Sequence, residues 1–169
     1  MGKIFLYYGT GAGKTTNALG LALRCAGHRL RAVIIQFMKG RKDIGEYLVK
    51  EMLFPYYEIY QFGRTGWVNL RNPSNEDKAL AKKALKKAEE ILETKPHLLV
   101  LDEVCLATYI GLVDVKEILK VLRKVPEETD VVLTGRYCPP ELIDQADFVN
   151  LIAEVKAPRK IYTRIGITH

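Results

Sequence analysis

Cysteine is scarce in this sequence. Its 169 residues hold three, Cys25, Cys105 and Cys138, far apart and without a CxxC pair. That spacing excludes a disulfide framework, argues against a structural zinc site and suits reduced thiols. Tryptophan occurs once, at Trp67. Apolar runs are strand-sized, short of the ~20 residues that a membrane-crossing helix needs, so no membrane segment is expected. No internal repeat or low-complexity linker marks a boundary. The length supports one sizeable core, and a single domain over residues 1–169 is the expectation. A strand-like run begins within a few residues of Met1, which leaves no room for a cleavable leader and suggests a cytoplasmic protein. The charge excess is small: 26 Lys and Arg against 20 Asp and Glu give a formal net charge of +6. Anionic partners such as nucleotides fit that balance, but it is too weak to indicate nucleic acid.

What is present centres on residues 3–20, KIFLYYGTGAGKTTNALG. Ile4 to Tyr8 reads as a buried strand. It runs into Gly9-Thr10-Gly11-Ala12-Gly13-Lys14-Thr15-Thr16, and a helical pattern follows at Ala18, Leu19, Leu21, Ala22 and Ala26. Strand, glycine loop, Gly-Lys-Thr and helix together form the context of a phosphate-binding loop. Glycines let backbone N–H groups curl round an anion, and the helix N-terminus adds partial positive charge. Lys14 supplies a point charge to the terminal phosphates, and the Thr15 hydroxyl is placed to ligate Mg²⁺. The usual pattern wants a glycine five residues before Gly13, where this chain has Tyr8; the leading glycine is Gly9, so the loop is one residue tighter. A plain glycine turn would explain the glycines but not Lys14-Thr15-Thr16 at the helix start.

The first helix is predicted to run to about Gly27, with Gly27 as the residue that ends it. Arg31 to Phe37, RAVIIQF, reads as an interior parallel strand covered on both faces, reached by a right-handed crossover. Parallel strands share a carboxyl edge, so Lys39 and Arg41 fall on the phosphate loop's side of the sheet. There they face polyphosphate or substrate, or form a solvated basic loop. Gly45 to Phe54 reads as a short helix stopped by Pro55. Glu58 to Phe62 reads as a third strand, followed by the glycine-bearing loop that carries Trp67. Ser74 caps the longest helix, with Asp77 three residues on. Leu80, Ala81, Ala84, Leu85, Ala88, Ile91 and Leu92 form its apolar stripe. Lys78, Lys82, Lys83, Lys86 and Lys87 fall largely opposite, as a solvated face without the interleaved aromatics that stack nucleic-acid bases.

Pro96 closes that helix, and His97 to Glu103, HLLVLDE, is the second chemical landmark. Asp102 and Glu103 stand at the carboxyl end of a buried strand, where phosphate-loop proteins keep the acid that holds Mg²⁺ or its waters. The competing role for Asp102 is capping the next helix. Gly111 to Lys124 is predicted to be helical, with Leu119, Leu122 and Val125 facing inward. Asp130 to Thr134 reads as a fifth strand, ending in Gly135-Arg136. Arg136 is placed to meet phosphate or to pair with the acids. Pro139 to Ala146 reads as a short helix opened by prolines. Phe148 to Val155 and Lys160 to Ile167 read as two last strands.

From Lys3 to about Val155 the sequence resembles the ATP:corrinoid adenosyltransferases of the CobA/CobO/BtuR type. The stretches that carry the likeness are GTGAGKTTNALGLALRCAGH, VIIQFMKG, LLVLDEV, GLVDVKEIL and VVLTGRYCPPELIDQAD. Its most specific parts are the tightened glycine loop, Gln36-Phe37 with Lys39-Gly40, and Thr134-Gly135-Arg136 followed by Pro140-Glu141-Leu142-Ile143 and Ala146-Asp147. The resemblance implies an α/β, RecA-like P-loop nucleotide-binding fold, with a mostly parallel central sheet flanked by helices. It also implies transfer of the 5′-deoxyadenosyl group of ATP to cobalt(I) of a corrinoid, with release of triphosphate. The family's loop holds the triphosphate in a reversed register that presents C5′ rather than the γ-phosphorus.

The implied cofactors are ATP and Mg²⁺ or Mn²⁺, with the corrinoid as co-substrate. The implied partners are a second copy, as a homodimer, and an electron donor such as a flavodoxin-type protein. On the matching positions, Gly9 to Thr16 form the cradle, Lys14 meets the triphosphate, and Thr15, Asp102 and Glu103 hold the metal. Arg24 lies where the family has an arginine near the nucleotide. Trp67 matches the loop aromatic that helps expel the corrinoid's lower ligand. The chain departs from the family's Gly-Asn-Gly-Lys-Gly-Lys-Thr at Thr10 and Ala12, and has Thr65 where a Phe precedes the Trp. Cys105 replaces the usual Asn, and Ile161 to His169 fits the family poorly.

Three other readings share parts of this pattern. A RecA-type ATPase acting on nucleic acid lacks a basic stripe here, and a thymidine-kinase-type enzyme lacks its CxxC pairs. A nucleotide-binding protein without corrinoid activity is compatible with Thr10, Ala12 and the missing Phe.

Overall fold

Six of the apolar runs become the strands of one sheet. The architecture is that of a computed structural model describing residues 1–66, 68–160 and 162–168. Six strands lie in the order β3-β2-β4-β5-β1-β6: β1 (Ile4–Tyr8), β2 (Ala32–Phe37), β3 (Tyr57–Phe62), β4 (Leu98–Asp102), β5 (Asp130–Gly135) and β6 (Phe148–Leu151). Every pairing is parallel. All strands therefore end on one edge, and one strand, β5, separates the phosphate-loop strand β1 from β4. This is the RecA-like P-loop arrangement.

Period-two alternation sorts the strand residues between two cores. Val33, Ile35 and Phe37 point to the face covered by α4 (Asn75–Glu93), α5 (Val104–Tyr109), α6 (Val115–Leu122) and α7 (Pro140–Gln145). Ala32 and Ile34 point to the opposite face, under Ala18 and Ala22 of α1 (Lys14–Gly27). Small residues on α1 let the helix lie close to the sheet, and so bring its first turn against the ends of β4 and β5. β2 is buried along its whole length, as expected of a strand covered on both faces.

The local signals hold at several points. Ser74 caps α4 in a reciprocal box with Asp77, and Pro140 occupies the first turn of α7. Lys78, Lys82, Lys83 and Lys86 are exposed, whereas Lys87 lies over the Tyr60 ring at 4.8 Å. Five expectations are corrected. Gly45 to Phe54 is not one helix but two single turns, α2 (Gly45–Leu48) and α3 (Lys50–Leu53). Gly111 is not the start of a helix; it turns left-handed (φ 75) after α5, and α6 begins four residues later. Gly27 stays within α1 as its last residue, His28 caps the helix, and Arg29 takes the left-handed position (φ 59). β6 stops at Leu151, and 160–167 forms no strand among its described residues. Alternating apolar residues in that tail meet no partner strand, and pairing, not alternation, makes a strand.

Candidate functional site

The carboxyl edge of the sheet is built around one carboxylate. Asp102 ends β4, is fully buried, and sits level with Gln36 in the register of β2 and β4. Its Oδ1 accepts hydrogen bonds from Thr15 Oγ1 (2.8 Å) and Thr134 Oγ1 (2.7 Å). Its Oδ2 accepts from Lys39 Nζ (2.7 Å) and Gln36 Nε2 (3.0 Å). Four donors fill the acceptor capacity of a carboxylate. Burial alone would raise the Asp102 pKa. The Lys39 charge and hydrogen bond, with the Thr134 and Thr15 hydroxyls, outweigh it and hold the group below the usual carboxylate value. The reciprocal holds for Lys39: burial pulls its pKa down, and Asp102 more than reverses this. Asp102 is thus not a helix cap, since its oxygens bind side chains from four other segments.

Glu103, the next residue, is built differently. Its backbone is left-handed (φ 65), an uncommon state for a non-glycine residue and one that gathers at functional sites. Its N–H donates to Thr134 Oγ1 at 2.8 Å, which ties the turn to β5. Burial, reinforced by the neighbouring Asp102 charge, pushes the Glu103 pKa up. Lys39, Lys14 and Arg136 oppose that shift without cancelling it.

The glycine loop wraps the end of β1. Gly13 is left-handed (φ 101) and turns the chain into α1. Gly9 is also left-handed (φ 121), and a Cβ there would strike the Ile152 carbonyl. The leading glycine is therefore required where the segment after β6 crosses the loop. The Gly9 N–H donates to Gly135 O (3.2 Å) and the Gly11 N–H to Ile152 O (2.9 Å). Both amides are engaged by protein, whereas the first N–H groups of α1 have no intrahelical partner. Lys14 Nζ bends back to Gly11 O at 2.6 Å. Burial, with Arg136 and Lys39 nearby, lowers its pKa against the pull of Glu103 and Asp102.

A cleft of about 550 Å³ opens beside this centre, lined in part by Thr15, Thr16, Leu19, Lys39, Val49 and Tyr57. A second lobe of about 360 Å³ shares Lys39, Glu46 and Thr168 with it. That size and mixture of apolar walls with a few polar groups is typical of a small-molecule site. Thr15, Asp102 and Glu103 offer the hard oxygens that Mg²⁺ takes. Among the described residues no group of three or more His, Cys, Asp or Glu side chains could hold a metal. The donor set fits an ion whose remaining ligands are water and phosphate oxygens, as Mg²⁺ has in nucleotide sites.

The predicted site residues separate into two groups. Lys14, Thr15, Asp102 and Glu103 converge, and Arg136 follows β5 on the same edge with its side chain exposed. Thr10, Ala12 and Thr16 lie exposed on or just beyond the loop. Arg24 does not join them: it is exposed in the last turn of α1, ten residues or about 15 Å along the axis from Lys14. Arg41 pairs with Asp43 at 2.8 Å. Trp67 lies outside the described residues. The inner support of the site escaped sequence reasoning. Gln61 Nε2 donates to Gln36 Oε1 (2.9 Å), so Gln61, Gln36 and Asp102 form a polar row across β3, β2 and β4. The signal was there: Gln36 is the one polar residue inside an otherwise apolar strand.

The family described as ATP:corrinoid adenosyltransferase BtuR/CobO/CobP matches residues 1–169. The chain belongs to this family. Among its relatives is a corrinoid adenosyltransferase of a Sinorhizobium species, 32% identical over 160 residues, covering 93% of this chain and 74% of that one. The Escherichia coli K12 corrinoid adenosyltransferase is 29% identical over 156 residues, 92% of this chain and 78% of that one. The Salmonella typhimurium corrinoid adenosyltransferase CobA is 30% identical with the same coverage. Among the described residues no helix is long and apolar enough to cross a membrane.

Proposed function

We propose that the protein transfers the 5′-deoxyadenosyl group of ATP to the cobalt(I) of a corrinoid and releases inorganic triphosphate. The observation that carries the proposal is the convergence of Lys14, Thr15, Asp102 and Glu103 beside a cleft of ligand size, in a chain of the corrinoid adenosyltransferase family. Cobalt(I) is itself the nucleophile, so the site needs no general base. Its electron pair forms the Co–C5′ bond, the C5′–O5′ bond breaks, and that pair departs on the triphosphate. The protein's work is to hold C5′ in line with cobalt and to stabilise charge on the leaving group.

Lys14 and the first N–H groups of α1 grip the triphosphate, and Arg136 reaches it from the end of β5. Gly9, Thr10, Gly11, Ala12, Gly13 and Thr16 shape the cradle round it. Thr15, Asp102 and Glu103 would hold Mg²⁺ or Mn²⁺, which supplies further positive charge to the leaving group when bound. Trp67 serves the corrinoid side by favouring loss of its lower ligand. Arg24 stands about 15 Å from the loop along α1, so its proposed nucleotide contact rests on the family likeness. Cobalamin as the corrinoid, a homodimer, a flavodoxin-type electron donor and a cytoplasmic location complete the reading.

Product analysis separates this chemistry from phosphoryl transfer. Incubation with ATP and chemically reduced corrinoid is expected to yield tripolyphosphate. ADP with orthophosphate would identify an ATPase instead, and ADP with a phosphorylated acceptor a kinase.

A further inference from the structure

We propose that Lys39 is the resident cation of the Thr15–Asp102 centre, and that a divalent ion enters only by displacing it. The inference rests on the reading of Thr15 and Asp102 as metal-holding groups, and deepens it. Lys39 Nζ lies 2.7 Å from Asp102 Oδ2 and 3.3 Å from Thr15 Oγ1. It thus touches two of the three residues that the metal reading assigns. An ammonium and a divalent ion cannot share one small notch, because like charges at that separation repel strongly away from bulk water.

The arrangement looks built for exchange. Asp102 is wholly buried and its charge needs a cation at all times, since a buried charge stripped of its partner is strongly destabilising. Lys39 provides one, yet its side chain keeps 28% exposure and extends from a loop rather than from the sheet. Met38, just before it, is left-handed (φ 59) and turns the chain at the end of β2. Lys39 lines both lobes of the cleft. Withdrawn from Asp102, its head stays in that cleft, where a polyphosphate receives it. The metal and the triphosphate therefore enter together: each makes room, or supplies a partner, for what the other displaces. This is a coupling free energy between two ligands.

The test uses Mn²⁺ binding, read by electron paramagnetic resonance, with and without inorganic tripolyphosphate. Wild-type protein is expected to bind Mn²⁺ alone weakly and to gain strongly when tripolyphosphate is added. Lys39→Met is expected to bind Mn²⁺ alone about tenfold tighter than wild type or better, with little further gain from tripolyphosphate. Equal or weaker Mn²⁺ binding by Lys39→Met overturns the proposal. If wild type still takes Mn²⁺ with tripolyphosphate in an Asp102-dependent way, the metal reading survives that failure. If Asp102→Asn changes nothing in any of these titrations, the metal reading itself falls, and the proposal with it. Should Lys39→Met fold only with Mn²⁺ present, the ion has replaced the lysine and the proposal stands. If Mn²⁺ does not rescue its folding although the Lys39→Met/Asp102→Asn double variant folds, the proposal is wrong.

Discussion

Asp102 and Glu103 are adjacent in sequence and opposite in environment: Asp102 accepts four hydrogen bonds from side chains, while the Glu103 carboxylate accepts none from the described residues. The first is held below the usual carboxylate pKa and the second above it. One is a fixed charge, the other a charge waiting for a counterion.

That difference predicts a pH signature for Glu103 in metal-free protein. A carboxyl whose folded pKa is raised costs nothing below its unfolded value of about 4.3, destabilises progressively as pH rises from there to the folded value, and costs a constant amount above it. Glu103→Gln removes the charge. Its Tm should match wild type near pH 4 and exceed it increasingly from there up to the raised folded pKa, with the gap constant beyond. A gap that does not change with pH would rule out a half-buried, unpaired Glu103.

Lys14 should separate activity from stability. Its half-buried ammonium makes one hydrogen bond, to the Gly11 carbonyl, so little of the fold depends on it. Lys14→Ala should lower turnover about 10²–10³-fold, the loss that follows removal of one fixed donor to developing charge. Its Tm should stay within a few degrees of wild type. Near-normal turnover in this variant would remove Lys14 from the triphosphate site.

Asp77 anchors the loop that leads to Trp67. It binds Arg64 Nε at 2.9 Å and closes the Ser74 capping box, and the Arg64 guanidinium holds its pKa down to about 2 from an ordinary 3.8. A depressed carboxyl gives its full stabilisation above the unfolded pKa and loses it as pH falls through the folded one. Asp77→Asn should therefore cost about 1–3 kcal/mol at neutral pH. The cost should shrink between about pH 4 and pH 2 in urea unfolding curves. A cost that persists at pH 2 would assign it to packing instead of charge.

Much of this was legible before any coordinate. The phosphate loop, the five main strands, the acids at the end of β4 and the Ser74–Asp77 box all declare themselves by local chemistry. What stayed hidden was non-local. Gln36 stands out in its strand, but its bonds to Asp102 and Gln61 need the register of β2 with both neighbours. Lys39 could be placed on the right edge of the sheet, yet only the left-handed turn at Met38 brings it beside Asp102. Helix α5 escaped because five of its six residues are buried, which leaves no amphipathic period to read. The apparent last strand failed for the opposite reason: its alternation is real, but none of its described residues pairs with a sheet edge. Arg24 was assigned through family likeness alone, and helix rise places it far from the loop.

The central claim is that this phosphate loop serves carbon transfer to a metal nucleophile instead of phosphoryl transfer. Anaerobic mixing of chemically reduced corrinoid, Mg²⁺-ATP and protein tests it most directly, by following the cobalt(I) absorption band. ATP-dependent loss of the band is expected, with one tripolyphosphate released for each cobalt alkylated and with the loss suppressed in Lys14→Ala. A cobalt(I) band that persists while the protein demonstrably binds ATP would contradict it.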